Sequence, residues 1–156
     1  MVRNEFTFPS ADGKTAIHAA EWLPETAPRA VLVLSHGVSE HILRYEPFAA
    51  FLTERGFAVC GHDHLGHGTS VAEGAPRLYF GPRGSWDDVV RDLYARRELA
   101  GKRFPGLPVL FAGGVSSSRW LRQQLATLGG LFAAPEYGTD NALGVAILAK
   151  RGMERS

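Results

Sequence analysis

Cysteine is almost missing from this chain. Cys60 stands alone among 156 residues, so no disulfide can form within the chain and packing has to hold it together. A lone thiol fits a reducing compartment, and a cytoplasmic location is the expectation. Long hydrophobic runs are missing too. None approaches the roughly 20 residues that span a bilayer, so no membrane span is expected. The sequence opens MVRNEFTF, without the basic stretch and apolar run of a secretory signal. Charge of one sign is not in excess. The net charge is +1, which gives no field to hold nucleic acid, and no nucleic-acid partner is expected. Internal repeats, low-complexity segments and a clear linker are also missing. Hydrophobic residues nevertheless make up 45% and charged residues 21%, enough to bury the core of one ordinary domain.

The pattern of what is present alternates strand and helix. Glu5 to Phe8 and Thr15 to Trp22 predict two strands around the Asp12–Gly13 turn, a pair that accepts the positive φ of tight turns. Ala30 to Ser35 is a continuous apolar, β-branched run, which suits a strand covered on both faces of a parallel sheet. Tyr45 to Arg55 has helical spacing at Phe48, Ala49, Phe51 and Leu52, and Gly56 closes it. Phe57 to Gly61 predicts another short buried strand. His64 to Gly84 is rich in Gly and Pro and predicts a loop, at the edge of a lid or cap. A helix from Ser85 to about Gly101 follows, with Asp87 and Asp88 in its first turn and Trp86, Val89, Val90, Leu93 and Leu99 turned inward. Val109 to Ala112 predicts a strand, 117 to 128 a helix, 131 to 133 a short strand and 140 to 150 a last helix. This alternation implies an α/β class built on a parallel sheet.

Two segments carry chemistry. The first is Ser35-His36-Gly37-Val38-Ser39-Glu40-His41, followed by Arg44-Tyr45. The second is Gly61-His62-Asp63-His64-Leu65-Gly66-His67-Gly68-Thr69-Ser70. They match the patterns HGxxEHxxRY and GHDxxGHGxS, in that order and at about that separation. Over roughly residues 5 to 108 the chain thereby resembles the monoglyceride lipases, lysophospholipases and serine-aminopeptidase-like members of the α/β-hydrolase superfamily. The resemblance implies the N-terminal half of an α/β-hydrolase sheet and carboxylic-ester hydrolysis on a small lipid ester, with no cofactor. It places an oxyanion loop at His36-Gly37-Val38, with the Val38 backbone N–H as donor. Read alone, Gly37 would equally serve a plain strand-to-helix turn. His62, His64 and His67 around Asp63 are a set that metals use. The resembling family holds no metal there, and the reading adopted is that these side chains pin the loop.

The same resemblance implies a G-x-S-x-G turn after the strand that starts at Pro108-Val109. The sequence there is Phe111-Ala112-Gly113-Gly114-Val115-Ser116-Ser117-Ser118. Counted without a gap, the nucleophile position falls on Val115; shifted by one, it falls on Ser116, with Ser in place of the last Gly. Ser116 is the candidate nucleophile, and the plainer alternative is that these serines cap the next helix. The family order then requires an Asp and a His downstream, and no His follows His67. Serine without a base stays protonated and attacks poorly.

From about 109 to 150 a second resemblance enters. Gly113-Gly114-Val115, Leu121-Arg122 and Pro135-Glu136-Tyr137-Gly138-Thr139-Asp140-Asn141-Ala142 are similar to the C-terminal end of the tRNA threonylcarbamoyladenosine-forming proteins. That likeness would make Asp140 a metal ligand, although one carboxylate alone does not hold a catalytic metal and no metal is expected; Asp140 equally caps the last helix. The chain therefore reads as a chimera-like splice joined near Pro108, residues 1–108 of hydrolase type completed on the same sheet by a βα(β)α tail, 109–156, in one domain. The expectation is a truncated ester hydrolase of low or no activity. The alternatives are a non-catalytic binding or interaction domain, and a fragment related to tRNA modification. An open sheet edge would also favour self-association.

Overall fold

The computed structural model describes residues 1–80, 85–114, 119, 122–123 and 131–132. Among these, six strands form one mixed sheet in the order β1-β2-β4-β3-β5-β6. The strands are β1 (Val2–Pro9), β2 (Ala16–Leu23), β3 (Ala30–Leu34), β4 (Phe57–His62), β5 (Val109–Ala112) and β6 (Leu131–Phe132). The first two make an antiparallel hairpin, and β2 pairs antiparallel with β4. The remaining pairings, β4 with β3, β3 with β5 and β5 with β6, are all parallel.

The hairpin closes as its turn chemistry requires. Asp12 accepts the N–H groups of Lys14 and Thr15, each at 2.8 Å, while Gly13 takes φ +73°. The first strand begins three residues earlier than its sequence pattern marks. Its register continues to Val2 opposite Leu23, and Arg3 is anchored to Glu46 at 2.7 Å. These are long-range partners that local composition does not reveal.

Among the described residues, the sheet is covered by α1 (Glu46–Thr53), which follows a 3-10 turn at Ile42–Tyr45, and by α2 (Ser85–Arg103). The helix expected over Tyr45 to Arg55 is found as α1, with Pro47 in its first turn, where its missing N–H leaves no helical bond unmade. The run AVLVL in β3 shows why a strand buried on both faces needs no polar alternation. Val31 and Val33 pack under α2 with Ala58, Cys60, Val90, Leu93, Val109 and Phe111. Leu34 packs on the opposite face with Trp22, Ile42, Ala49, Leu52 and Val59. The two helices therefore lie on opposite faces. Each such buried aliphatic side chain contributes about 2 kcal/mol of transfer free energy.

Two departures from the expected inward face of α2 are instructive. Trp86 is half exposed; in the first turn of α2 its ring meets the edge of Phe80, centroids 5.6 Å apart, instead of the sheet. Arg96 is fully buried. Its Nη2 donates to Glu21 Oε1 at 3.0 Å, and Arg103 holds Glu21 Oε2 at 3.0 Å. Arg96 Nε also donates to the Gly61 carbonyl at 3.3 Å. This ion cluster bolts α2 to β2 and β4. Asp92 adds a further tie by accepting the Ser10 hydroxyl at 2.8 Å and the Ala11 N–H at 2.7 Å. The expected helix at 117–128 lies almost wholly, and that at 140–150 wholly, outside the described residues.

Candidate functional site

Because β3, β4 and β5 are parallel, their carboxyl ends open at one edge of the sheet, where α/β sheets place their ligands. Three turns meet there: Ser35–Val38 after β3, Asp63–Ser70 after β4, and Gly113–Gly114 after β5. The Ser35 N–H donates to the Ala112 carbonyl at 2.9 Å, which sets the first turn against the third. Gly113 has φ +113°, and a Cβ there would overlap the Ser35 carbonyl oxygen. Only glycine fits at that point, so the tight residue that leaves β5 carries no side chain. Val115 and Ser116 lie outside the described residues, as does Asp140.

The turn after β3 is clamped from inside. His36 is fully buried. Its Nδ1–H donates to the Gly37 carbonyl at 2.8 Å, and its Nε2 accepts the His64 N–H at 3.0 Å. These two bonds require the neutral ring with its proton on Nδ1. Burial also pulls its pKa below the usual histidine value, and the neighbouring His67 adds to that. A trans peptide points its C=O and N–H in opposite directions. Holding the Gly37 carbonyl inward on His36 therefore turns the Val38 N–H outward. Val38 is 74% exposed, and among the described residues its N–H has no acceptor.

The preceding peptide is fixed on both sides as well. Glu40 Oε2 accepts the Gly37 N–H at 2.8 Å, and His64 Nε2 lies 3.2 Å from the His36 carbonyl. A carbonyl can only accept, so Nε2 of His64 carries the proton. The same nitrogen is 3.1 Å from Ser35 Oγ. This contact is a buried serine–histidine pair, yet it is not an activated nucleophile. A protonated Nε2 cannot take the serine proton, and Ser35 is completely enclosed. The contact braces the turn.

Asp63 organises the second turn. It accepts the Ile42 N–H at 2.7 Å, the Thr69 N–H at 3.0 Å and His18 Nδ1 at 3.1 Å. A Cβ at Gly68 would collide with its carboxylate, and Gly68 takes φ +50°, which explains the glycine in this motif. His18 also reaches Glu5 through Nε2 at 2.9 Å, so Asp63 links the hairpin, the 3-10 turn and the loop. Of the histidines expected to pin this loop, His64 and His67 do so by hydrogen bonds, His67 Nδ1 to the Leu65 carbonyl at 3.1 Å. His62 has no hydrogen-bond partner among the described residues. The imidazoles pack tilted or edge-on in a buried group. His36 and His64 are 4.2 Å apart, His62 and His64 5.0 Å, and His67 stacks on Phe80 at 5.3 Å. Burial drives His62 down to about 3 and His64 well below the usual value. Among the described residues, no three carboxylates, imidazoles or thiols converge to suit a metal ion, and no helix is long and apolar enough to cross a membrane.

The motif pattern marks His36, Gly37 and Val38, and the structure brings them together at the end of β3. It does not mark the work of Glu40, Tyr45 or Ser35. Glu40 stands three residues after the Gly37 amide it binds, a spacing that is a usable local signal for a side chain folding back on a turn.

The sheet order and the turns at its carboxyl edge define an α/β-hydrolase arrangement, and comparison with known proteins makes the family definite. Residues 26–153 match the family model described as serine aminopeptidase, S33, and the chain belongs to that family. The match extends through the segment after 109. Human monoglyceride lipase is 36% identical over 104 residues, which are 67% of this chain and 32% of that one. The monoacylglycerol lipase of Mycolicibacterium smegmatis is 32% identical over 111 residues, 71% of this chain and 37% of that one. The chain thus spans about a third of the length of these relatives. A thermostable carboxyl esterase from Bacillus coagulans, solved with glycerol, superposes with a TM-score of 0.72 at 27% identity, covering 85% of this chain and 44% of that one. The monoglyceride lipase of Saccharomyces cerevisiae shares the fold, with a TM-score of 0.61 at 18% identity over 83% of this chain and 40% of that one.

Proposed function

We propose that this chain supplies the oxyanion-loop side of a serine carboxylic-ester hydrolase for monoacylglycerols or lysophospholipids, and that alone it turns esters over weakly or not at all. One observation carries the first part: the Val38 N–H is aimed outward by the buried His36 clamp, beside the turn that leaves β5. A fixed, unpartnered amide stabilises negative charge developing on an ester oxygen without reorganising when the charge appears. The names of the lipase relatives supply the monoacylglycerol, and the motif resemblance adds the lysophospholipid.

The second part rests on the residue inventory. The six histidines lie at or before His67. His36, His62, His64 and His67 are buried, and the bonds of His36 and His64 place their protons where neither accepts one from a serine. His18 lies between two carboxylates. A general base has to be within hydrogen-bonding reach of its nucleophile. These five are enclosed or held between carboxylates. The sixth, His41, is exposed just before the 3-10 turn, not after the β5 turn where the family order places its base.

Hydrolysis of p-nitrophenyl butyrate and of a monoacylglycerol tests both parts. The expected outcome is a rate close to that of buffer alone. Robust turnover that vanishes in Ser116→Ala would overturn the inactive reading while supporting the ester chemistry. Robust turnover unaffected by that change and by Val38→Pro, which deletes the amide hydrogen, would overturn the assignment of the loop.

A further inference from the structure

We propose that Glu40 is the positioning residue of the 36–38 turn, engaging the Gly37 N–H in its carboxylate so that the Val38 N–H alone remains free to bind an oxyanion. The proposal rests on the reading of Val38 given above and adds the device that selects this amide.

Two successive N–H groups in a turn form an anion-binding pair by default. Here an internal anion already occupies the first of them. Glu40 Oε2 sits 2.8 Å from the Gly37 nitrogen and receives the Tyr45 hydroxyl at 2.7 Å. Ser39 takes φ +65°, an uncommon conformation for a residue with a side chain, and this folds Glu40 back onto the glycine. A Cβ at Gly37 would lie 3.2 Å from Glu40 Oε2, so the carboxylate packs against the bare glycine. Tyr45 closes the 3-10 turn whose first residue, Ile42, is held by Asp63. Glu40 is therefore braced by a rigid element and does not hang in solvent. Partial burial favours its neutral form, but the bonds from Tyr45 and Gly37 and the charge of Arg44 prevail and hold the carboxyl below the usual range. The bond to Gly37 is accordingly charge-assisted at neutral pH.

If Glu40 instead served only general stability, Gly37 and Val38 would not differ in a Glu40-dependent way. Amide proton exchange and chemical shifts in the 15N-labelled chain separate the two cases without any need for ester turnover. A failed hydrolase assignment would therefore show up independently. In the unaltered chain the Gly37 N–H should be shifted downfield and protected, while the Val38 N–H exchanges like an exposed amide. The Gly37 shift should follow an acid midpoint below the ordinary carboxylate range, and Tyr45→Phe should raise that midpoint. Glu40→Ala should lower Gly37 protection by about tenfold or more, and Glu40→Gln, which keeps an acceptor, should retain part of it. A Gly37 amide that exchanges as fast as Val38 in the unaltered chain, or that shows no acid titration, overturns the proposal. Should Glu40→Ala unfold the chain, the neutral-pH protection of Gly37 against Val38 in the unaltered chain and in Glu40→Gln still decides.

Discussion

Mild acid should weaken this fold well before its carboxylates titrate. The perturbation is a drop from about pH 7 to about pH 5.5, and the groups responsible are His62 and His64. In the folded chain burial keeps the first near 3 and the second well below its ordinary value. Unfolded, both titrate near about 6.5. Below that pH the unfolded chain binds protons that the folded chain refuses. The stability these residues confer is therefore complete above about pH 6.5 and is lost as the pH falls, for His62 down to about 3. The slope approaches about 1.4 kcal/mol per pH unit for each histidine. Over the stated interval each contributes roughly 1 kcal/mol, and the pair roughly 2–3 kcal/mol. His36, also lowered by burial, adds in the same direction. A domain of this size holds roughly 5–15 kcal/mol in total, so the loss is large. Urea unfolding at the two pH values, followed by the emission of the buried Trp22, measures it. His62→Leu removes an imidazole with no partner on either nitrogen among the described residues and should reduce the pH-dependent loss by roughly 1 kcal/mol. Equal stability at the two pH values, or an undiminished loss in His62→Leu, would refute the reasoning.

Three further outcomes follow from the packing. Gly113→Ala forces a Cβ into the Ser35 carbonyl at a positive φ and should lower stability by about 2–4 kcal/mol, read from the urea midpoint. Glu21→Gln leaves the fully buried Arg96 guanidinium without its counter-charge and should cost about 3–5 kcal/mol by the same measurement. Cys60, whose thiol burial pushes up to about 11, should resist iodoacetamide in the native state and react only when the chain unfolds.

Much of the fold was legible because the relevant physics is local. The uninterrupted AVLVL of β3 announced a strand covered on both faces, and Gly56 and the Asp12–Gly13 pair marked real turns. What local pattern could not convey was pairing. That β4 lies between β2 and β3 is a long-range fact, and so is the extension of β1 to Val2. Trp86 misled because an aromatic ring at helical spacing faces the core only where the helix meets the sheet, and its turn meets Phe80. Nothing local marks Arg96 as an inward residue of α2, since its burial depends on Glu21, 75 residues away. In the site, His36, Gly37 and Val38 of the motif fall in the turn that follows β3. The proton positions on His36 and His64 emerged only from which carbonyls and amides surround them. That detail separates a bracing Ser35–His64 contact from a reactive one.

The most direct test of the account is the intact mass of the native chain after exposure to a fluorophosphonate, with peptide mapping of any adduct. The account predicts an unchanged mass, since none of the six histidines follows the turn after β5, where the family order places the base. A stoichiometric adduct on Ser116, or on any other serine, would contradict it.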